Sequence, residues 1–230
     1  MAARNNADWY SMMFDIHGLA YCRSAEAFLA LDTPPPYHSW ITTLDPEATE
    51  QQLQLIRQNS QQPDFAVKDA FGKLKLASEH LVEYFSASWI FADSKRLPTN
   101  PTPGWSQVHL PADLLCWETA WKAGGSPSSQ RQFPDAILQR TDVQVWGRCS
   151  ADSASGYDAG VVANLSADCV GLSNCFGHRA FAAAAALCAD MADRKLPVVG
   201  YELGEDLSIA LDHGFSAVGT LRLWGSAAGE

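Results

Sequence analysis

VQVWGR (Val143–Arg148), AGVVAN (Ala159–Asn164), CVGLSNC (Cys169–Cys175), PVVGY (Pro197–Tyr201) and AVGTLRLW (Ala217–Trp224) are the apolar runs of the stretch Asp142–Trp224. Most are short, rich in β-branched or aromatic residues and bounded by turn chemistry, which reads as strands. Ser166-Ala167-Asp168 separates the second run from the third. An Ala-rich segment, Arg179–Arg194, and a shorter one, Asp206–His213, interrupt the later runs and read as helices. The order strand, strand, strand, helix, strand, helix, strand predicts an α/β fold with a mixed central sheet flanked by helices.

Working outward, Trp105–Leu110 reads as a strand and Pro111–Ala123 as a helix with proline in its first turn. Asp93–Gly104 holds Pro98, Pro101, Pro103 and Gly104 among polar residues, which is linker chemistry. The chain thus divides into residues 1–95, a linker over 96–104, and residues 105–230. In the first part, Tyr37–Leu44 reads as a strand after three prolines, Ala48–Gln58 as a surface helix, and Phe65–Val67 as a strand. Lys73–Phe85 has helix-compatible apolar spacing, and Ser88–Phe91 reads as a closing strand. Both parts end strand, helix, aromatic-bearing strand, with Ala77 and His80 opposite Ala210 and His213. The expectation is two related units, the N-terminal one truncated because it lacks room for a full set of strands.

Composition bounds the function. The 230 residues are 47% hydrophobic and 18% charged, so a packed core is expected. A formal net charge of -10 argues against nucleic acid and against anionic membranes, since both reward positive charge. No apolar run approaches the roughly 20 residues that span a bilayer, and Met1–Tyr10 lacks the apolar core of a secretion signal. Six cysteines without a C-x-x-C pair read as reduced, mostly buried thiols of a cytoplasmic protein. The six histidines show no metal-ligand spacing, so no metal site is expected.

The order of elements from Trp105 onward, and Leu207–Trp224 in detail, resembles the GCN5-related N-acetyltransferase (GNAT) superfamily. In that family a short helix ends in Gly-Phe before a strand; here Gly214-Phe215 precede a strand holding Leu221–Trp224. Gly214 can take the left-handed conformation that ends a helix, and Phe215 then plugs the core. The resemblance covers residues 105–230 well and the first part loosely. It implies acetyl-CoA or another acyl-CoA as donor, an amine on a small molecule or peptide as acceptor, and it allows a homodimer.

Three positions depart from the family pattern. Its cofactor loop is Arg or Gln, two residues, Gly, one residue, then Gly or Ala, so that main-chain N–H groups at a helix N-terminus hold the pyrophosphate. Here the stretch is Gly171-Leu172-Ser173-Asn174-Cys175-Phe176-Gly177-His178-Arg179-Ala180, with Gly177 alone at the turn. The Tyr that can protonate the leaving thiolate is replaced by Ala210, and the upstream Asn falls near Leu203.

The candidate donor-binding residues are therefore Val170, Gly171, Leu172, Ser173, Asn174, Gly177, His178 and Arg179. Ser173 and Asn174 could bond an acyl group, or satisfy the backbone of a bulge. Arg179 could pair with a phosphate, or be a solvated first-turn residue with His178. Glu202 and Tyr201, at the carboxyl end of a central strand where open α/β sheets bind ligands, are the candidate base and acid. Glu202 could instead simply charge the start of the next helix. The function these residues suggest is N-acyl transfer from acyl-CoA to an amine. The alternative is a non-catalytic descendant of the fold that binds a small molecule or a protein.

Overall fold

Two parallel strand pairs, each closed by a helical crossover, organise the molecule. The computed structural model describes residues 1–99 and 103–226. The first half runs α1 (Ala2–His17), β1 (Tyr21–Arg23), β2 (Ala27–Ala30), β3 (Ile41–Thr43), α2 (Thr49–Asn59), β4 (Ala66–Asp69) and β5 (Leu81–Ala92). The second runs β6 (Trp105–Gln107), α3 (Pro111–Ala123), β7 (Val143–Cys149), β8 (Tyr157–Ser166), β9 (Cys169–Phe176), α4 (Phe181–Asp190), β10 (Val198–Glu202), α5 (Gly204–Asp212) and β11 (Ser216–Ser226).

These strands form one 11-stranded sheet in the order β1-β2-β3-β4-β11-β5-β10-β9-β8-β7-β6. β3 and β4 are parallel, with α2 between them in the chain; β9 and β10 are parallel, with α4 between them. A parallel pair needs such a crossover, whereas the antiparallel neighbours need only turns. The final strand of each half then pairs with the other half. β5 lies between β10 and β11, and β11 lies between β4 and β5, paired from Ser216↔Phe91 to Ser226↔Leu81 with register shifts at Ala217/Gly219 and Leu223/Trp224. The sheet is thus continuous across residues 96–104, of which 100–102 lie outside the described residues.

Helices cover both faces. α1 and α3 share one: Asn5 of α1 stands over Gly171, and Trp117 of α3 over Gly160. α4 and α5 take the other, where Ala184, Ala185, Cys188 and Ala210 pack on Val161, Ala163, Val170 and Leu172. On the first face Trp117, Phe14, Phe28 and Phe133 are among the largest fully buried side chains. Such burial contributes roughly 1.5–3 kcal/mol for each side chain. Gly214 ends the α5 segment at φ 91, and Phe215 turns into the α4 side with its ring 5.4 Å from Phe181. Among the described residues, no helix is long and apolar enough to cross a membrane.

Several expectations are corrected. Lys73–Phe85 is not a helix: a 3-10 turn at Leu76–Glu79 ends at His80 with φ 61, and Leu81–Ala92 is one strand of 12 residues. Its Val, Tyr, Phe, Trp and Ile side chains favour a pleated surface, and partners on both edges stabilise it. The strand expected over Tyr37–Leu44 is confined to Ile41–Thr43, because Tyr37 has φ 67. The Ala-rich helix spans Phe181–Asp190 rather than Arg179–Arg194. Arg179 (φ 53) and Arg194 (φ 55) leave helical geometry, and Arg194 instead donates to Ser94 O and Leu97 O at 2.9 Å each. The first helix, α1, was not expected at all. The cysteines are not mostly buried: Cys22, Cys116 and Cys149 are exposed, Cys169 and Cys188 buried.

Candidate active site

β9 and β10 pair only at Val198↔Val170 and Val199↔Gly171, then separate. The cause lies in β9. Its register against β8 shifts between Ser173 and Phe176, and Asn174 sits at φ 52 within that bulge. A bulge bends its strand and stops local pairing. Asn174 Nδ2 donates to Ser173 Oγ at 3.1 Å, and Ser173 Oγ to Val162 O at 3.5 Å. The main-chain groups of β9 beyond this point are released from the ladder with β10.

The gap opens into a cavity of about 260 Å³. Its walls are β9 from Gly171 to Cys175, β10 from Val199 to Glu202, α1 through Asn5, Asn6, Trp9 and Tyr10, and Lys68 of β4. Tyr37, His38, Trp121 and Gln132 close the far side. Neither phenylalanine near the gap fills it. Phe176 packs edge-on against Trp117 at 5.3 Å and Phe181 against Phe215, each away from the opening.

Close approach of α1 depends on Gly171. Asn5 Nδ2 donates to Ser166 Oγ at 2.9 Å, and Asn164 Nδ2 to Asn5 Oδ1 at 3.3 Å, directly over this residue. A Cβ on Gly171 would overlap both amide oxygens. The N-terminal helix is thereby held on the second half of the chain, as a wall of the cavity.

Of the sequence-derived candidates, Gly171, Leu172, Ser173, Asn174, Tyr201 and Glu202 line this cavity. Val170 is fully buried in the α4-side core instead. Gly177, His178 and Arg179 stand outside it, exposed, in the turn from β9 to α4. Gly177 has φ 103, and a Cβ there would overlap Asp158 O and Ala159. Ala180 at the N-cap of α4 offers no side-chain acceptor, so the first-turn N–H groups are left for another acceptor. His178 O accepts from Arg148 Nη2 at 3.3 Å.

Tyr201 and Glu202 follow each other on a strand and so face opposite sides of the sheet. Tyr201 lies edge-on to Trp89 at 5.6 Å on the α1 side. Glu202, half-buried, has Cys175 and Asp206 as electrostatic neighbours. Burial first, and then the nearby Asp206 carboxylate, push its carboxyl up to about 7. Burial likewise pushes the Cys175 thiol up, with Glu202 and Asp206 adding to it. Ala210 is fully buried and Leu203 exposed, so neither position supplies a polar group to the gap.

Sequence reasoning missed the half of the site that comes from α1 and β4. Lys68 and Tyr10 are nearly fully buried there. The available signal was the charged pair Lys68-Asp69 continuing an apolar run that would otherwise end at Val67. Among the described residues, no group of three or more His, Cys, Asp or Glu could hold a metal ion.

The fold has known counterparts. No family model matches the sequence, and no curated protein matches it. Solved structures do. A GCN5-related N-acetyltransferase from Kribbella flavida superposes at TM-score 0.61 with 13% identity, over 100% of this chain and 96% of that one. One from Sphaerobacter thermophilus superposes at 0.55 with 11% identity, over 98% of this chain and 89% of its own. A conserved protein of unknown function from Staphylococcus epidermidis gives 0.62 with 11% identity, over 89% and 92%. The chain therefore has the fold of the GCN5-related N-acetyltransferases, a mixed α/β sheet flanked by helices, along essentially its whole described length.

Proposed function

We propose that this protein transfers an acyl group from acyl-CoA to the nitrogen of an amine. The observation that carries the reading is the separation of β9 and β10 into a polar cavity with Glu202 at its edge. The fold likeness supports it at the level of class. Glu202, with a carboxyl near neutrality, suits a general base. It would take a proton from the amine as nitrogen attacks the thioester carbon. The C–S bond then breaks, and the sulfur leaves carrying a proton from Tyr201 or from water.

The donor has a place to bind. Main-chain groups of β9 beyond Gly171 face the gap and can hold the acyl carbonyl. The uncapped N-terminus of α4 can accept the pyrophosphate, with His178 and Arg179 beside it. The fit is through backbone N–H groups and helix polarity, with one glycine instead of the family's fuller pattern.

The test is release of free CoA thiol from acetyl-CoA across a panel of small amines, comparing wild type with Glu202→Gln. Amine-dependent thiol release that falls about 100-fold in the variant supports the reading. Absence of amine-dependent release removes it. A second reading, a binding protein without catalysis, is favoured by one feature: buried Ala210 stands where the family's acid would be.

A further inference from the structure

Lys68 is a desolvated ammonium to which the described residues offer no counter-ion. It is 2% exposed on β4. Its Nζ donates to Asn6 Oδ1 at 2.9 Å and lies 4.7 Å from the ring centroids of both Tyr10 and Tyr201. Among the described residues, no carboxylate pairs with it. An ammonium carries three N–H donors, so Asn6 Oδ1 and the Tyr201 hydroxyl satisfy it in part and leave its charge unpaired. Ring faces attract a cation but do not neutralise it. A buried charge lacking a counter-charge is costly, and burial accordingly pushes the Lys68 pKa down, against a smaller opposing effect of Tyr201.

The same cavity holds a matching acceptor. His38 Nδ1 is 3.0 Å from Pro36 O and 3.4 Å from Gln132 Nε2; the shorter contact is to a carbonyl, which only accepts, so Nδ1 carries the proton. His38 Nε2 is then a bare lone pair, and among the described residues it has no partner. Burial, with Lys68 contributing, holds the His38 pKa down to about 4, so the ring stays neutral. Tyr10 joins the two groups, its ring centroid 4.5 Å from that of His38. A ligand seated against Tyr10 would meet both a cation and an acceptor for N–H or O–H.

We propose that the cavity binds a small amino-carboxylate, its carboxylate seated on Lys68, so that the acyl acceptor is an amino acid or a close relative. A monoanion matches one ammonium and takes up its remaining donors. A phosphate dianion would need further donors, and an amine without an anionic group would leave Lys68 unpaired. The word acceptor rests on the acyl-transfer reading; the anion site does not.

The test is calorimetric titration of the full chain with glycine, L-serine and β-alanine, and with the amide of each. Wild type, Lys68→Met and Lys68→Arg are compared. We expect at least one acid to bind wild type, and its amide to bind at least about 10-fold more weakly. Lys68→Met should reduce the acid to the level of its amide, while Lys68→Arg keeps the preference for the acid. If Lys68→Met does not fold, the contrast of acid and amide in wild type decides. Equal affinity for acid and amide, or no binding of any of these compounds at about 10 mM, overturns the proposal. Acetyl-CoA is titrated separately. Acid-selective binding without acetyl-CoA binding keeps the anion site and removes acyl transfer; acetyl-CoA binding without acid selectivity removes only the anion site.

Discussion

Asn5 of the first helix and Asn164 of β8 bond to each other across 159 residues of chain, Asn164 Nδ2 donating to Asn5 Oδ1 at 3.3 Å. Both are buried over Gly171. Asn5→Leu leaves the Asn164 amide without its partner, at a cost of about 1–3 kcal/mol. Gly171→Ala overpacks the same spot by a similar amount. Thermal unfolding should show a lower Tm for each, and the double variant should lose less than the sum, because both act on one contact.

Glu202 separates stability from function. Its folded carboxyl is raised to about 7 from an ordinary value of 4.5, by burial and then by Asp206. Native protein therefore binds more protons than unfolded chain between these values. This contribution to stability is full below the lower value and is lost as pH rises through the upper one. Glu202→Gln should thus melt higher than wild type at pH 8 and no higher at pH 4, while transferring acyl groups more slowly. Transfer by wild type should fall as pH drops below about 7. A variant with unchanged pH dependence of both melting and rate would show that Glu202 does not titrate there.

Ala210 cannot be converted into the family's acid by one substitution. It is fully buried in the α4-side cluster with Phe215 and Leu187. Ala210→Tyr should lower stability by about 1–3 kcal/mol through overpacking, without raising the rate of thiol release.

Thiol reactivity should follow exposure. Cys22, Cys116 and Cys149 are exposed, whereas burial raises the thiol pKa of Cys169, Cys175 and Cys188. Brief alkylation of the native protein, read by peptide mass spectrometry, should label the first group and spare the second. Unfolding in denaturant should equalise them.

The second half of the fold was legible because its signals are local. Short β-branched runs, Pro111 opening α3 and Gly214 ending the α5 segment each act within a few residues. The long strand Leu81–Ala92 was not, because Leu81, Val82 and Phe85 also satisfy helical spacing; pairing with β10 and β11, both far along the chain, decides the outcome. Helix α1 stayed hidden behind a polar start, Asn5-Asn6-Ala7-Asp8, whose asparagines face partners at Asn164 and Lys68. The candidate site divided in the same way. Gly171, Ser173, Asn174, Tyr201 and Glu202 follow from strand ends that local sequence announces, whereas Tyr10, His38 and Lys68 reach the cavity only through contacts between segments far apart in the chain, such as Asn5 with Asn164 and β4 with β11.

The separation of β9 from β10 is read as the seat of an acyl-CoA thioester, and titration calorimetry with acetyl-CoA tests that most directly, with Arg179→Ala alongside. The account predicts saturable binding to wild type, weakened in Arg179→Ala by about 10-fold through loss of a phosphate contact beside α4. No heat of binding at millimolar acetyl-CoA, on the order of a Kd above 1 mM, would contradict it and leave the cavity to a ligand other than an acyl donor.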